Sequence, residues 1–180
     1  MRSNSNGHLQ VGLLAHQGEG ILVQTNDFID ETGRSYYGQN YLYLYLNSTR
    51  EFRQVITYAG PIHTFSWFPR GGRFIVQSGF MPAHTVIYNN QGEPEIQLGI
   101  HHRNTLKWAP LQRFLLVGGF ENLKGEIDIW DMVDMKQVGT CTSTQASFAE
   151  WAPDGRFFLT AIVEQTLRVS NEVNVGDATN

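Results

Sequence analysis

Trp67-Phe68-Pro69, Trp108-Ala109-Pro110 and Trp151-Ala152-Pro153 are three copies of one phrase. Each is followed within a few residues by Arg-Phe and an apolar run: Arg73-Phe74-Ile75-Val76, Arg113-Phe114-Leu115-Leu116 and Arg156-Phe157-Phe158-Leu159. The tryptophans are 41 and 43 residues apart. A period of about 40–45 residues is the mark of a β-propeller blade. A blade cannot bury its faces alone and must stack on neighbours.

Within each period, short β-like runs alternate with turn signals. The second unit gives 62–67, 73–78, 84–88 and 95–98, and the third gives 104–108, 113–117, 126–130 and 137–139. The fourth offers 146–151, 156–161 and 166–170; the first, looser, offers 9–14, 21–25, 41–46 and 52–57. Alternation is clean in Tyr41-Leu42-Tyr43-Leu44-Tyr45-Leu46 and in Glu126-Ile127-Asp128-Ile129-Trp130. That period sends successive side chains to opposite faces of a sheet. No segment carries a helical stripe with caps. The fold expected is all-β, a WD40-like β-propeller present as a partial propeller of about four blades. Blades fall at about 8–58, 59–99, 100–140 and 141–170, after a disordered polar lead-in at 1–7 and before a flexible tail at 171–180. Pro69-Arg70-Gly71-Gly72, Pro110-Leu111-Gln112 and Pro153-Asp154-Gly155 supply the turn chemistry between first and second strands. Trp130-Asp131 ends a third strand as the WD dipeptide does, and Tyr88-Asn89 takes the equivalent place. One tryptophan per blade reads as packing between blades.

Acidic residues outnumber basic ones 17 to 13, for a formal net charge of −4 over 180 residues. Such a chain has no global basic footprint for nucleic acid or anionic membrane. No apolar stretch approaches the ~18 residues of a bilayer span, so no membrane partner is expected. Met1-Arg2-Ser3-Asn4-Ser5-Asn6-Gly7 lacks the apolar core of a signal peptide. The single Cys141 cannot form an internal disulfide, which favours a reducing compartment and a cytoplasmic location.

Catalytic constellations are missing. Gly71-Gly72 belongs to a hairpin turn and not to a phosphate cradle. His101-His102 could bind metal, but neighbouring strand residues face opposite sides and no third ligand sits at metal spacing. His8, His16, His63 and His84 are scattered singly. Asp27, Asp30 and Glu31 lack the pattern of a calcium loop. Cys141 has no activating base beside it. The chain is read as no enzyme, with no catalytic residue, no cofactor and no metal.

Several ordered stretches resemble a known family: Thr32-Gly33-Arg34-Ser35-Tyr36-Tyr37-Gly38, Gly79-Phe80-Met81-Pro82-Ala83, Arg103-Asn104, Gly118-Gly119-Phe120-Glu121-Asn122-Leu123-Lys124-Gly125, Leu159-Thr160-Ala161 and Leu167-Arg168-Val169. With Trp151-Ala152-Pro153-Asp154-Gly155 they look like the propeller of eukaryotic translation initiation factor 2A, over about residues 21–169. A more distant similarity is to the propeller in the b subunit of eukaryotic initiation factor three. The resemblance implies a larger, closed propeller followed by a basic helical region. It also implies a role in recruiting initiator tRNA or mRNA to the small ribosomal subunit. The family runs on towards a Trp-containing strand, whereas Glu172-Val173-Asn174-Val175-Gly176-Asp177 departs from that pattern, as a truncated chain would.

The family-like motifs cluster on one rim, formed by the loops joining second to third strands and by the segments between blades. Loops on a rigid scaffold usually carry function. The candidate partner-binding residues are Arg34, Tyr36, Tyr37, Phe80, Met81, His101, Arg103, Asn104, Phe120, Asn122 and Lys124. Gly79, Gly118 and Gly125 could equally just shape loops, and Phe80 and Phe120 could plug between blades. The function expected is a non-catalytic translation initiation factor fragment, a scaffold for the small ribosomal subunit or other initiation factors. A generic adaptor without a ribosome role is the alternative. Arg34, Arg103 and Lys124 lie amid Asp27, Asp30, Glu31 and Glu121, so weak or no direct RNA binding is expected. An open arc of blades would leave apolar faces uncovered and invite self-association.

Overall fold

The computed structural model describes residues 10–16, 20–27, 39–162 and 172–178. Every regular element among them is a strand, in four antiparallel sheets that follow one another along the chain. The first sheet is β1 (Gln10–His16), β2 (Gly20–Asp27), β3 (Gln39–Leu46) and β4 (Glu51–Val55). The second is β5 (Ile62–Trp67), β6 (Arg73–Ser78), β7 (Ala83–Asn89) and β8 (Pro94–His101). The third is β9 (Thr105–Trp108), β10 (Phe114–Gly118), β11 (Glu126–Asp131) and β12 (Lys136–Thr142). The fourth described sheet has three strands, β13 (Phe148–Trp151), β14 (Phe157–Ile162) and β15 (Glu172–Asp177). The lead-in at 1–7 and the strand expected at 166–170 lie outside the described residues.

Two compact units result, residues 1–80 with 84–100, and residues 81–83 with 101–180. In the first unit, alternation in β3 turns Leu42, Leu44 and Leu46 to one face, where they meet Trp67, Phe74, Val76, Val86 and Tyr88 of the second sheet. In the second unit, Leu116, Ile127 and Ile129 of the third sheet meet Ala149, Trp151 and Phe158 of the fourth. Each fully buried Leu, Val or Phe contributes roughly 1.5–3 kcal/mol.

The three tryptophans close the first strands of their sheets, and each pairs across the hairpin with the residue seven positions on: Phe74, Leu115 and Phe158. Trp67 and Trp151 meet their phenylalanines edge-on in nearly the same way, at 5.3 Å and 65°, and at 5.5 Å and 64°. The Trp151 indole Nε1–H also donates to the Lys107 carbonyl of the neighbouring sheet, 2.9 Å away. The Arg-Phe pairs, in contrast, are not in register. Backbone bonds from Phe68 to Arg73, Ala109 to Phe114 and Ala152 to Phe157 put Arg73 where the others carry a phenylalanine. The turns themselves are of one length, with seven positions from each tryptophan to its partner, so the slip lies in the sequence of the second strand, where Arg73-Phe74 begins one residue later after Trp67 than the Arg-Phe pairs do after Trp108 and Trp151.

The tail reading needs correction. Residues 172–177 form β15, the third strand of the last sheet, paired along its whole length with β14. Asp177 stands opposite Phe157 as Asp131 stands opposite Phe114. Both carboxylates accept from an arginine on the hairpin, Arg113 at 2.7 Å and Arg156 at 3.2 Å. Gly176 holds the place of Trp130, and a Cβ there would collide with Cζ of Phe158. The phenylalanine ring fills the space that a larger partner takes elsewhere, so the usual tryptophan signal is missing.

Asp131 and Asn89 fasten the hairpin that follows the third strand. Asp131 Oδ1 accepts the backbone N–H of Val133 at 3.0 Å, and Asn89 Oδ1 accepts those of Gln91 and Glu93 at 2.9 and 3.0 Å. Burial alone would raise the Asp131 pKa. Hydrogen bonds from Arg113, Val133 and Asp134, with the Arg113 charge, outweigh it and hold the carboxyl below its ordinary value. A carboxyl depressed on folding stabilises above its unfolded pKa, about 3.9, and loses that contribution as pH falls through the folded value. Asp131→Asn is therefore expected to be less stable at neutral pH and to show a shallower loss of stability below about pH 4 in urea titrations. Equal acid slopes for both proteins would contradict this.

The turns supply a second test. Gly71, Gln112 and Gly155 all adopt positive φ, at 74°, 62° and 67°, at the same turn position. Only Gln112 has a side chain there, and left-handed backbone costs a non-glycine residue about 1–2 kcal/mol. Gln112→Gly should raise unfolding free energy by about 0.5–1 kcal/mol, and Gly155→Ala should lower it by about 1 kcal/mol, measured by chemical denaturation.

Candidate functional site

The connection between β10 and β11 is the most constrained loop of the expected rim. Gly119 donates to Glu126 and Gly125 to Gly119, each within 2.9 Å, closing the loop base. No side chain fits at either glycine. A Cβ at Gly119 or Gly125 would collide with the backbone oxygen of His102 or Ser143. Phe120 folds inward over Gly118, is only 2% exposed, and joins the core of the second unit. Asn104 then clamps it. Its Nδ2 donates to the Phe120 carbonyl at 3.1 Å, and its Oδ1 accepts the Phe120 N–H at 3.0 Å. The plug role considered for Phe120 is the one it has, and Asn104 is half-buried beneath the loop.

Arg103 is 5% exposed. Its guanidinium bonds to Asp128 Oδ2 at 2.9 Å, Glu126 Oε2 at 2.8 Å and the His102 carbonyl at 3.2 Å. Gln137 and Thr140 donate to the other Asp128 oxygen, at 3.1 and 3.2 Å. The hydrogen bond and charge of Arg103 also hold the Glu126 carboxyl below its ordinary pKa. This cation is spent inside its own sheet. Outward-facing groups of the loop are Glu121, Asn122 and Lys124, while His101 is exposed at the end of β8.

In the first unit, the corresponding β6–β7 connection is pinned from below. Gly79 donates to the Pro61 carbonyl at 3.0 Å, and His63 Nε2 lies 2.9 Å from the Gly79 carbonyl. Gly60, at φ 123°, passes so close that a Cβ would stand 2.7 Å from the Phe80 nitrogen. Phe80 points outward at 58% exposure, unlike Phe120. Met81 is half-buried. Arg34, Tyr36 and Tyr37 lie outside the described residues. Thus Arg103, Asn104, Phe120, Asn122 and Lys124 share one corner, and only the last two are open to a partner.

His84 reads as a lone histidine in the sequence, yet its ring stacks on Tyr58 at a centroid distance of 3.4 Å and 9°. Gln97 Nε2 reaches His84 Nδ1 at 3.1 Å. Tyr58-Ala59-Gly60-Pro61, an aromatic beside a turn, was the available signal. Among the described residues, no group of three His, Cys, Asp or Glu could hold a metal ion. Among them, too, no helix is long and apolar enough to cross a membrane.

Comparison with known proteins follows the same lines. Residues 13–178 match the family model described as "Eukaryotic translation initiation factor eIF2A". The chain is 36% identical over 159 residues to eukaryotic translation initiation factor 2A of Dictyostelium discoideum, covering 88% of this chain and 26% of that protein. It spans about a quarter of the length of such relatives. A shorter match, 29% identical over 115 residues, joins it to the b subunit of eukaryotic translation initiation factor 3 of Xenopus laevis, covering 61% of this chain and 17% of that protein. A crystal structure described as that of the eukaryotic initiation factor superposes with a TM-score of 0.78 at 31% identity, covering 94% of this chain and 40% of that one. The β-propeller domain of the Trilobed protease from Pyrococcus furiosus superposes at 0.65 with 10% identity, covering 98% and 57%, which speaks to the fold alone.

Arg103→Ala would leave Asp128 buried without its cation, at a cost of about 3 kcal/mol or more. Lys124→Ala should change stability by no more than about 0.5 kcal/mol. Denaturant unfolding of both variants checks this contrast, and equal stabilities would refute the buried-ion reading.

Proposed function

The chain belongs to the eukaryotic translation initiation factor 2A family, and from that premise we propose that it is a non-catalytic propeller scaffold contacting the small ribosomal subunit or another initiation factor. Family membership carries the reading. The β10–β11 loop gives it a physical form. Asn122 and Lys124 are exposed on a loop whose base three glycines, Phe120 and Asn104 hold still. A preordered loop loses little conformational freedom on docking. In this reading, support for initiator tRNA or mRNA recruitment comes from mixed protein and backbone recognition, in the cytoplasm. It does not come from a strong grip on free RNA. The chain's net charge is −4, and Arg103 is already neutralised by Asp128 and Glu126. Counterion release requires several available cations.

Co-sedimentation with purified small ribosomal subunits at near-physiological salt tests the proposal. The chain should pellet with subunits, and Lys124→Glu combined with Asn122→Ala should weaken the association severalfold without unfolding the protein. No pelleting above a non-binding control would overturn the ribosome contact. Titration with free initiator tRNA should give a Kd weaker than about 1 μM. Submicromolar binding that collapses with added salt would refute the weak-RNA part.

A further inference from the structure

Two cavities in the first unit share one wall, the extended segment 56–59 between β4 and β5. The larger, about 570 Å³, lies between this segment and the second sheet, with Val86 and Tyr88 opposite and Pro94, Ile96 and Gln97 along β8. The smaller, about 370 Å³, holds Tyr41, Tyr58, Phe80 and the amides of Asn40 and Gln54. The dividing wall projects into solvent, with Ile56 82% exposed and Tyr58 41% exposed. It is nonetheless held in place. Tyr58 stacks on His84, its N–H meets Ser78 Oγ at 3.3 Å, and the Tyr88 hydroxyl donates to the Ile56 carbonyl at 2.9 Å. Burial, with the Tyr58 phenol adding to it, pushes the Tyr88 pKa up to about 12, so this donor keeps its proton across the physiological range.

Charge narrows what can bind. Among the described residues, the smaller cavity has no charged side chain in its lining. Among them the larger has only Glu95, whose carboxylate is 2.7 Å from Arg73 Nε. Among the described lining residues a phosphate backbone would find no free cation, and a strongly charged peptide no free counter-charge. The complement of such a neutral, aromatic, amide-bearing groove is an uncharged extended peptide. Polyproline II matches it closely. It has no internal hydrogen bonds, so its carbonyls are free for Asn40, Gln54 and Gln97, and it is ordered before binding. Its three-residue turn, about 3.1 Å per residue, brings every third proline to one edge. Aromatic-lined grooves are the usual receptors for such segments.

We propose that the paired cavities flanking 56–59 form a docking groove for an uncharged, proline-rich peptide in the polyproline II conformation, with Tyr58 as the ridge between two proline pockets. The groove uses residues other than Asn122 and Lys124 and does not rest on a ribosome contact. It also assigns a task to the outward Phe80.

Amide spectra of the isotope-labelled chain, titrated with an acetylated and amidated ten-residue polyproline peptide, provide the test. A Gly-Ser peptide of equal length and a ten-nucleotide oligouridine are run in parallel. The polyproline peptide should cause saturable shifts at 54–60, 80 and 84–97, and the other two probes should not. Ile56→Asp and Tyr58→Ala should each weaken binding at least about tenfold while leaving the remaining resonances in place. Ile56 is so exposed that its variant stays informative if Tyr58→Ala disturbs the fold. Absence of shifts at millimolar polyproline would overturn the proposal. So would an equal response to oligouridine, or cavity shifts that follow protein concentration alone and so report a second copy of the chain.

Discussion

Burial of one sheet face against another is the constraint from which the rest of this structure follows. A four-stranded sheet with one apolar face is not stable in water by itself. Here Leu42, Leu44 and Leu46 need Trp67, Phe74 and Tyr88, and Leu116 and Ile127 need Trp151 and Phe158. The tryptophans that end β5, β9 and β13 each stand seven positions before their cross-hairpin partners, so ring and turn keep one geometry in all three sheets. That shared geometry explains why the Trp-x-Pro phrase repeats faithfully, while the Arg-Phe pair, which lies beyond the turn, slides by one residue.

Scaffold and presentation are divided between faces and connections. The faces of the inner strands are committed to packing, whereas β4, β8 and β12 are largely exposed, and Arg103 with Asp128 and Glu126 forms a closed polar circuit. Glycines in the connections let backbones approach closely enough to bond, as at Gly60 against Phe80 and Gly125 against Ser143. Among the described residues, the connections offer a loop tip bearing Asn122 and Lys124 and an aromatic groove around Tyr58.

Much of the fold could be read directly from the chain. The tryptophan period located β5, β9 and β13, and strict alternation located β3 and β11, because both signals come from local sequence. Sites were less legible. Arg103 reads as a surface group, and Phe120 reads equally as a surface group or a plug, because they sit in a loop-like, glycine-rich context. Their burial depends on Asp128, 25 positions away, and on the core beneath the loop. Tyr58 and Gln97 lie on separate elements, and no linear pattern links them to one cavity. The strand β15 was missed for a different reason. Its marker residue had become a glycine, and the compensating volume sat on the neighbouring strand.

That last exchange has an evolutionary consequence. At the same cross-strand position the three sheets carry Phe74 with Tyr88, Leu115 with Trp130, and Phe158 with Gly176. In the second unit, small stands beside large in both orders, so the space between these strands is inherited as a sum and not residue by residue. With Phe158 already against the Gly176 backbone, a larger residue at 176 becomes acceptable only after 158 has shrunk. The two positions are thereby bound to a fixed order of change, and lineages differing at one should differ at the other.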